Sequence, residues 1–361
     1  MKWSWKLTDV AGIGIYIHAT FLLIVLWVAF GEWSRGGTPG AVAGAVIFVL
    51  ALFACVVLHE LGHALTARRY GIATRDITLL PIGGVARLER MPEDPMQELA
   101  VALAGPAVNF AIAGGLFLML AASGTPALQL DPGAGFFPRL MTINLGLGLF
   151  NLLPAFPMDG GRVLRALLAT RMEYTRATRT AAVVGQAFAF LLGFAGLMGN
   201  PVLLFIALFV WMGAEGEASM VEVRSAMGGV PMARAMITDF HALSPDDSLQ
   251  HAVDMILAGS QQDFPVVQGD AVVGVLTRAD LLRALTQLGP ESPVAGAMRR
   301  DFQVVESTEM LETAFRRLQG CDCRVMPVVS RGKLVGLLTP ENMGEFLMIQ
   351  AAMGRSGRLR I

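Results

Sequence analysis

Charge is what this chain has least of. Only 16% of its 361 residues are Asp, Glu, Lys or Arg, while 54% are hydrophobic, against about 25% and about 45–50% in an ordinary soluble domain. The deficit lies in the first 220 residues, where uncharged segments run Val10–Gly31, Gly36–Leu58, Leu99–Leu130, Leu140–Met158 and Thr180–Ala214. Each is long enough, as helix, to cross ~30 Å of hydrocarbon. The last is broken at Gly199-Asn200-Pro201 and accommodates two crossings, although Val202–Ala214 is short for one. The expected fold class is a polytopic α-helical membrane domain of about six helices.

Basic blocks with interleaved aromatics are absent and the formal net charge is −1, which sets nucleic acid aside as a partner. Three cysteines do not make a disulfide framework. Cys321 and Cys323 fall in a tail assigned to the cytoplasm, where thiols stay reduced. Basic residues, held on the cytoplasmic side of spans, give the orientation. Lys2 and Lys6 precede the first span, while Arg68, Arg69, Arg75, Arg87 and Arg90 fill the second connection and Arg162, Arg165, Arg171, Arg176 and Arg179 the fourth. The outward connections hold only Arg35 and Arg139. Both termini are expected in the cytoplasm, the first span being a retained helix in a cell (inner) membrane; a cleaved signal peptide is the other account of it, without a convincing cleavage site.

Histidine is scarce too, with five in the chain, and two of them stand in His59-Glu60-Leu61-Gly62-His63 at the inner end of an apolar run. One helical turn apart on one face, His59 and His63 can grip one Zn²⁺, with Glu60 beside them as general base for water. Polar residues capping a membrane helix near the headgroups are the plainer account, but imidazole and carboxylate at that depth are costly and usually functional. A third protein ligand must come from elsewhere. Asp159 is the candidate: it follows Asn151-Leu152-Leu153-Pro154-Ala155-Phe156-Pro157-Met158, where prolines interrupt an apolar span, and precedes Gly160-Gly161. Broken backbone at membrane depth is tolerated where protein or a water-filled cavity satisfies it. Asp159 also reads as a cap for a helix over Arg162–Arg171. Cys55, one turn before His59, is either a small packing residue or a further ligand. The Asn151 amide can hold a substrate strand or a developing oxyanion, or satisfy backbone freed by Pro154.

Three segments, His59-Glu60-Leu61-Gly62-His63, Ala104-Gly105-Pro106-Ala107-Val108-Asn109-Phe110 and Asn151 to Gly161, resemble the signatures of the site-2 protease family of intramembrane zinc metalloproteases. The chain is similar to the branch that processes sporulation sigma factors in bacteria. The resemblance implies zinc ligation by His59, His63 and Asp159, water activation by Glu60, substrate positioning by Asn151, and a membrane-tethered regulator or its anchor as substrate. Between the second and third spans, Ile72 to Leu88 alternates β-branched and polar residues around Pro81 and Gly83-Gly84, which predicts a hairpin. It is a plain connection, or an edge that holds substrate extended by strand addition.

Beyond Glu215 the composition becomes that of a soluble domain, and Pro265-Val266-Val267 and Gly274-Val275-Leu276-Thr277 recur 62 residues later as Pro327-Val328-Val329 and Gly336-Leu337-Leu338-Thr339. The repeat resembles tandem cystathionine-β-synthase (CBS) domains, an α/β pair that commonly binds ATP or another adenine nucleotide and can mediate homo-oligomers. The resemblance makes Thr277 a phosphate contact and Asp280 a ribose contact; the same spacing also reads as a capping box. The second repeat has Asn342 for Asp280, so two equal sites are not expected. The expected organisation is a membrane protease domain over 1–220, a linker over 221–230, CBS repeats over 231–290 and 291–350, and a basic tail over 351–361. The reading is an intramembrane zinc endopeptidase, embedded in the bilayer, that cuts a membrane-tethered protein near the cytoplasmic face under adenine-nucleotide control. The alternative is a non-proteolytic nucleotide-sensing scaffold or a metal transporter, for which polar residues along several spans are wanted.

Overall fold

The computed structural model describes residues 3–81, 83–89, 91–92, 94–124, 135–320 and 324–358, with only the backbone for 319–320 and 351–358. Cys321, Cys323, Arg90, the end of the third uncharged run and the last residues of the basic tail lie outside them. The chain divides into two compact units, Met1–Met220 and Val221–Ile361.

The first unit opens with strands, not a span. β1 (Ser4–Val10) and β2 (Ile13–His18) form a hairpin whose turn residues Ala11 and Gly12 both have positive φ, 53° and 79°, the twist a two-residue hairpin needs. The first uncharged run is therefore divided: Ile13, Ile15 and Ile17 alternate with Gly14, Tyr16 and His18, a period of two that suits a strand, and helix α1 covers only Phe21–Ser34. Helix α2 (Pro39–Arg69) follows, its N-terminus capped by the Thr38 hydroxyl and started by Pro39. The hairpin expected at Ile72–Leu88 is present as β3 (Thr74–Leu80) and β4 (Gly83–Leu88), but β2 pairs parallel with β3, from Gly14–Asp76 to Ile17–Leu79. The result is a four-stranded sheet in the order β1-β2-β3-β4, leaving β4 at an edge.

Helix α3 (Pro95–Ala122) starts from an Asp94 cap that accepts the backbone N–H groups of Met96 and Gln97, both at 2.9 Å. α4 (Phe136–Asn151) stops at the expected interruption, α5 (Asp159–Ala169) is short and amphipathic, and α6 (Tyr174–Met198) and α7 (Val202–Met227) follow. Among the described residues, α2, α3, α6 and α7 are long and apolar enough to cross a membrane, and α1 is a shorter apolar helix. Large apolar side chains such as Trp27, Phe30, Phe190, Phe194 and Phe205 are exposed, as lipid-facing residues are when hydrocarbon is the solvent. Cys55 packs with Phe48 and Leu140, the behaviour of a small hydrophobe.

A buried ion cluster ties α5 to its neighbours. The Arg165 guanidinium donates to Glu98 of α3 through Nε at 2.7 Å and to Glu217 of α7 at 3.0 Å, and lies 5.1 Å from the ring centres of both Phe156 and Tyr174. Glu98 has no solvent exposure. Arg165→Ala strands that carboxylate without its cation, an expected loss of about 3–5 kcal/mol, read as a lowered thermal midpoint in detergent. A midpoint equal to wild type contradicts this.

In the second unit, α8 (Leu249–Ala258), β5 (Phe264–Gln268), β6 (Ala271–Leu276) and α9 (Arg278–Leu288) form the first repeat. β7 (Val305–Glu306), α10 (Leu311–Gly320), β8 (Met326–Ser330), β9 (Lys333–Leu338) and α11 (Pro340–Arg358) form the second. The leading segments are exchanged between repeats. Met232 packs in a core with Val305, Leu311 and Met326, whereas Val294 packs with Leu243, Leu249 and Phe264. Correspondingly, Ile237 bridges to Leu337 and Arg299 to Val275.

Candidate active site

α2 presents His59 and His63 one turn apart, both buried, with their Nε2 atoms 3.1 Å from each other. Asp159, the first residue of α5, brings Oδ2 to 3.2 Å from each. Its place is fixed by the interruption before it. The chain folds back tightly enough that a side chain at Gly160 would overlap the carbonyls of Leu152 and Leu153. Met158 is the N-cap residue of α5 and makes no side-chain cap bond, so the Asp159 carboxylate faces the histidines and does not act as a cap.

Three ligand atoms thus converge from elements distant in sequence. The remote ring nitrogens are engaged: His63 Nδ1 donates to the Val101 carbonyl at 2.7 Å, and His59 Nδ1 lies 2.5 Å from Asn109 Oδ1. A donor on each Nδ1 leaves each Nε2 lone pair for a metal. α3 passes close by, and a Cβ at Gly105 would overlap His63 Nε2 and come within 2.7 Å of His59 Nε2. Two imidazole nitrogens, one carboxylate oxygen and a space kept clear by glycine fit a catalytic Zn²⁺ site of three protein ligands.

A cavity of about 400 Å³ opens onto this cluster. Glu60 and Asn151 line it with His59, His63 and Asp159, and so do Gly83, Gly84, Val85 and Ala86 of the β4 edge. Arg162 lines it too, a residue that the sequence offered only among the arginines of the fourth connection and as the start of an expected helix. Its spacing of three from Asp159 on one helix was the available signal. Asn109 stood in the sequence as part of a signature segment, without a role; a buried amide in an apolar run was its signal.

In the second unit, Thr277 caps α9: its hydroxyl accepts the Asp280 N–H at 3.2 Å and lies 2.6 Å from Asp280 Oδ2. The cap expected from the spacing is present, but the carboxylate returns to the Thr277 hydroxyl, so these hydrogen bonds are the Thr277 half of a capping box. Arg299 Nε and Nη2 also donate to the two Asp280 oxygens at 2.5 and 3.2 Å. Burial pushes the Asp280 carboxyl up, but hydrogen bonds from Arg299 and Thr277 outweigh it and hold the group below the usual carboxylate range. Its folded value lies under the unfolded one, so its contribution to stability is complete above about pH 4 and is lost only as pH falls through the folded value. In the second repeat, Asn342 donates its N–H to Thr339 Oγ1 at 3.1 Å, and Ile237 stands where Arg299 stands in the first.

Residues 47–134 and 132–192 match peptidase family M50, and residues 232–287 and 294–347 each match the CBS domain. A zinc metalloprotease of Methanocaldococcus jannaschii is 35% identical over 343 residues, covering 94% of this chain and 94% of its own. The chain belongs to peptidase family M50, the site-2 proteases. Other similar proteins include Rip3 of Mycobacterium tuberculosis, 31% identical over 96% of this chain and 93% of its own. The stage IV sporulation protein FB of Bacillus subtilis is 31% identical over 43% of this chain and 51% of its own. The solved site-2 protease of M. jannaschii matches at 39% identity, with a TM-score of 0.45, over 60% of this chain and 95% of that one. This site-2 protease is a zinc metalloendopeptidase and a multi-pass membrane protein with tandem CBS domains, which removes the scaffold and transporter alternatives.

Proposed function

We propose that His59, His63 and Asp159 hold one Zn²⁺ per chain, that Glu60 is the general base, and that the protease cuts a membrane-tethered regulatory protein near the cytoplasmic face. The observation that carries this is the convergence of the two Nε2 atoms and Asp159 Oδ2 within 3.2 Å, on a cavity that Glu60 also lines. Bound zinc supplies Lewis acidity, polarising the scissile carbonyl and acidifying water. Glu60 takes a proton from the attacking water and passes it to the departing amine. A helical substrate hides its peptide bonds, so the β4 edge, which lines the cavity from Gly83 to Ala86, pairs with the segment and holds it extended. Asn151 fixes that strand by its amide. Both termini lie in the cytoplasm, as the arginine asymmetry of the connections supports, and the membrane is the cell's inner one. Residues 1–220 form the protease domain, 221–230 the linker, 231–290 and 291–350 the CBS repeats, and 351–361 a basic tail. Membrane proteomics of cells carrying wild type against Glu60→Gln tests the reading: a tethered precursor accumulates uncut in the variant. An identical set of membrane proteins in both contradicts it.

The CBS pair binds ATP or a related adenine nucleotide at Thr277 and Asp280, at one site per chain, and offers a surface for homo-oligomers. Asn342 and Ile237 leave the second repeat without the acid and its arginine. Ribose hydroxyls compete with Arg299 for Asp280, so Arg299→Gln is expected to tighten ATP binding about three- to tenfold, ~1 kcal/mol. Calorimetric titration of the solubilised full chain measures it, and unchanged or weaker binding contradicts the competition.

A further inference from the structure

Two side-chain amides lie end to end in the membrane unit, Asn109 on α3 with 1% exposure and Asn144 on α4 with none. Their hydrogen bonds form a chain with a direction. At its far end the Leu140 carbonyl, which only accepts, lies 2.9 Å from Asn144 Nδ2. The Asn144 amide group therefore points its NH₂ at Leu140 and its oxygen at Asn109, because the reverse sets two acceptors face to face. Asn109 answers with its own NH₂, 3.0 Å from Asn144 Oδ1. That leaves Asn109 Oδ1 for His59 Nδ1 at 2.5 Å, so Nδ1 carries the proton and Nε2 the lone pair.

We propose that Asn144 is a positioning residue for the metal site, which selects the His59 tautomer from two amides away. A neutral imidazole has two tautomers, and the wrong one turns an N–H toward the position a metal occupies. His63 has its tautomer set by a main-chain carbonyl, that of Val101, which no substitution removes. His59 depends on side chains alone. An asparagine can rotate its amide and present either end, so Asn109 is a reliable acceptor only while Asn144 holds its NH₂ group. Asn144 stands seven residues before Asn151 in α4, two turns along the same helix face. One face of α4 thus serves the tautomer relay and the substrate cavity.

The inference rests on the metal-site assignment and is tested by zinc affinity, measured by chelator competition on the solubilised full chain, with helical circular dichroism reporting the fold. Asn144→Leu removes the group that orients Asn109 and is expected to weaken zinc binding about 10- to 100-fold. The deciding variant is Asn109→Asp combined with Asn144→Leu. A carboxylate only accepts, needs no orienting partner, and restores the affinity lost in Asn144→Leu. A merely structural role for Asn144 predicts no such rescue. If the leucine variant does not fold, Asn144→Ala takes its place in both comparisons. Wild-type affinity in Asn144→Leu, or a folded double variant as weak as the single, overturns the relay. Wild-type protein that fails to bind one zinc overturns the site assignment instead.

Discussion

Glu60→Gln is expected to lower cleavage of a tethered substrate in proteoliposomes by about a hundred- to ten-thousand-fold, the range a positioned general base supplies, while zinc content stays at one per chain. Glutamine keeps the size of the side chain and loses the proton acceptor. Glu60 is not one of the three converging ligand groups, so the metal has no reason to leave. Its place on the cavity wall, next to His59 in sequence and against Gly84 of β4, is where a general base would exchange a proton with water and the amine. Cleavage within a few-fold of wild type removes Glu60 from the mechanism.

Gly105→Ala is the second large effect, and it acts on the metal. The added methyl falls on His63 Nε2 and 2.7 Å from His59 Nε2, in the space between imidazoles that zinc needs. A flexible side chain could swing aside, but His63 is held by Val101 and His59 by Asn109 through their other nitrogens. The expected outcome is zinc below about a tenth per chain, with activity falling in parallel. Elemental analysis of the purified variant reads this directly. Full zinc occupancy contradicts the close approach of α3 to the ligands.

These two residues differ in how far the sequence disclosed them. His59 and His63 were legible as candidates because metal chemistry needs rare residue types at helical spacing, Glu60 as the acid beside them, and Asp159, which the structure brings to the two histidines, because prolines interrupt an apolar span just before it. Gly105 stood inside a recognised segment, yet nothing in the sequence said that its missing side chain clears space for a metal. The first uncharged run looked like a span, since uncharged composition alone does not separate helix from strand; its alternating isoleucines and the partner strand Asp76–Leu79 decided for a sheet. Contacts made through space were the least visible. Arg165 meets Glu98 across 67 residues and Asn109 meets Asn144 across 35, distances at which spacing carries no signal. The same holds for Arg299, which reaches Asp280 because the leading segments of the two CBS repeats are exchanged. A linear repeat with a 62-residue offset gives no hint of that exchange.

The most direct measurement on the central claim is zinc-edge X-ray absorption of the purified full-length protease. The account predicts one zinc per chain in a shell of nitrogen and oxygen scatterers, two of them imidazoles, near ~2.0–2.2 Å. Asp159→Ala is expected to lose that zinc. A sulfur shell near ~2.3 Å, placing Cys55 on the metal, or an unchanged spectrum in Asp159→Ala, would contradict it.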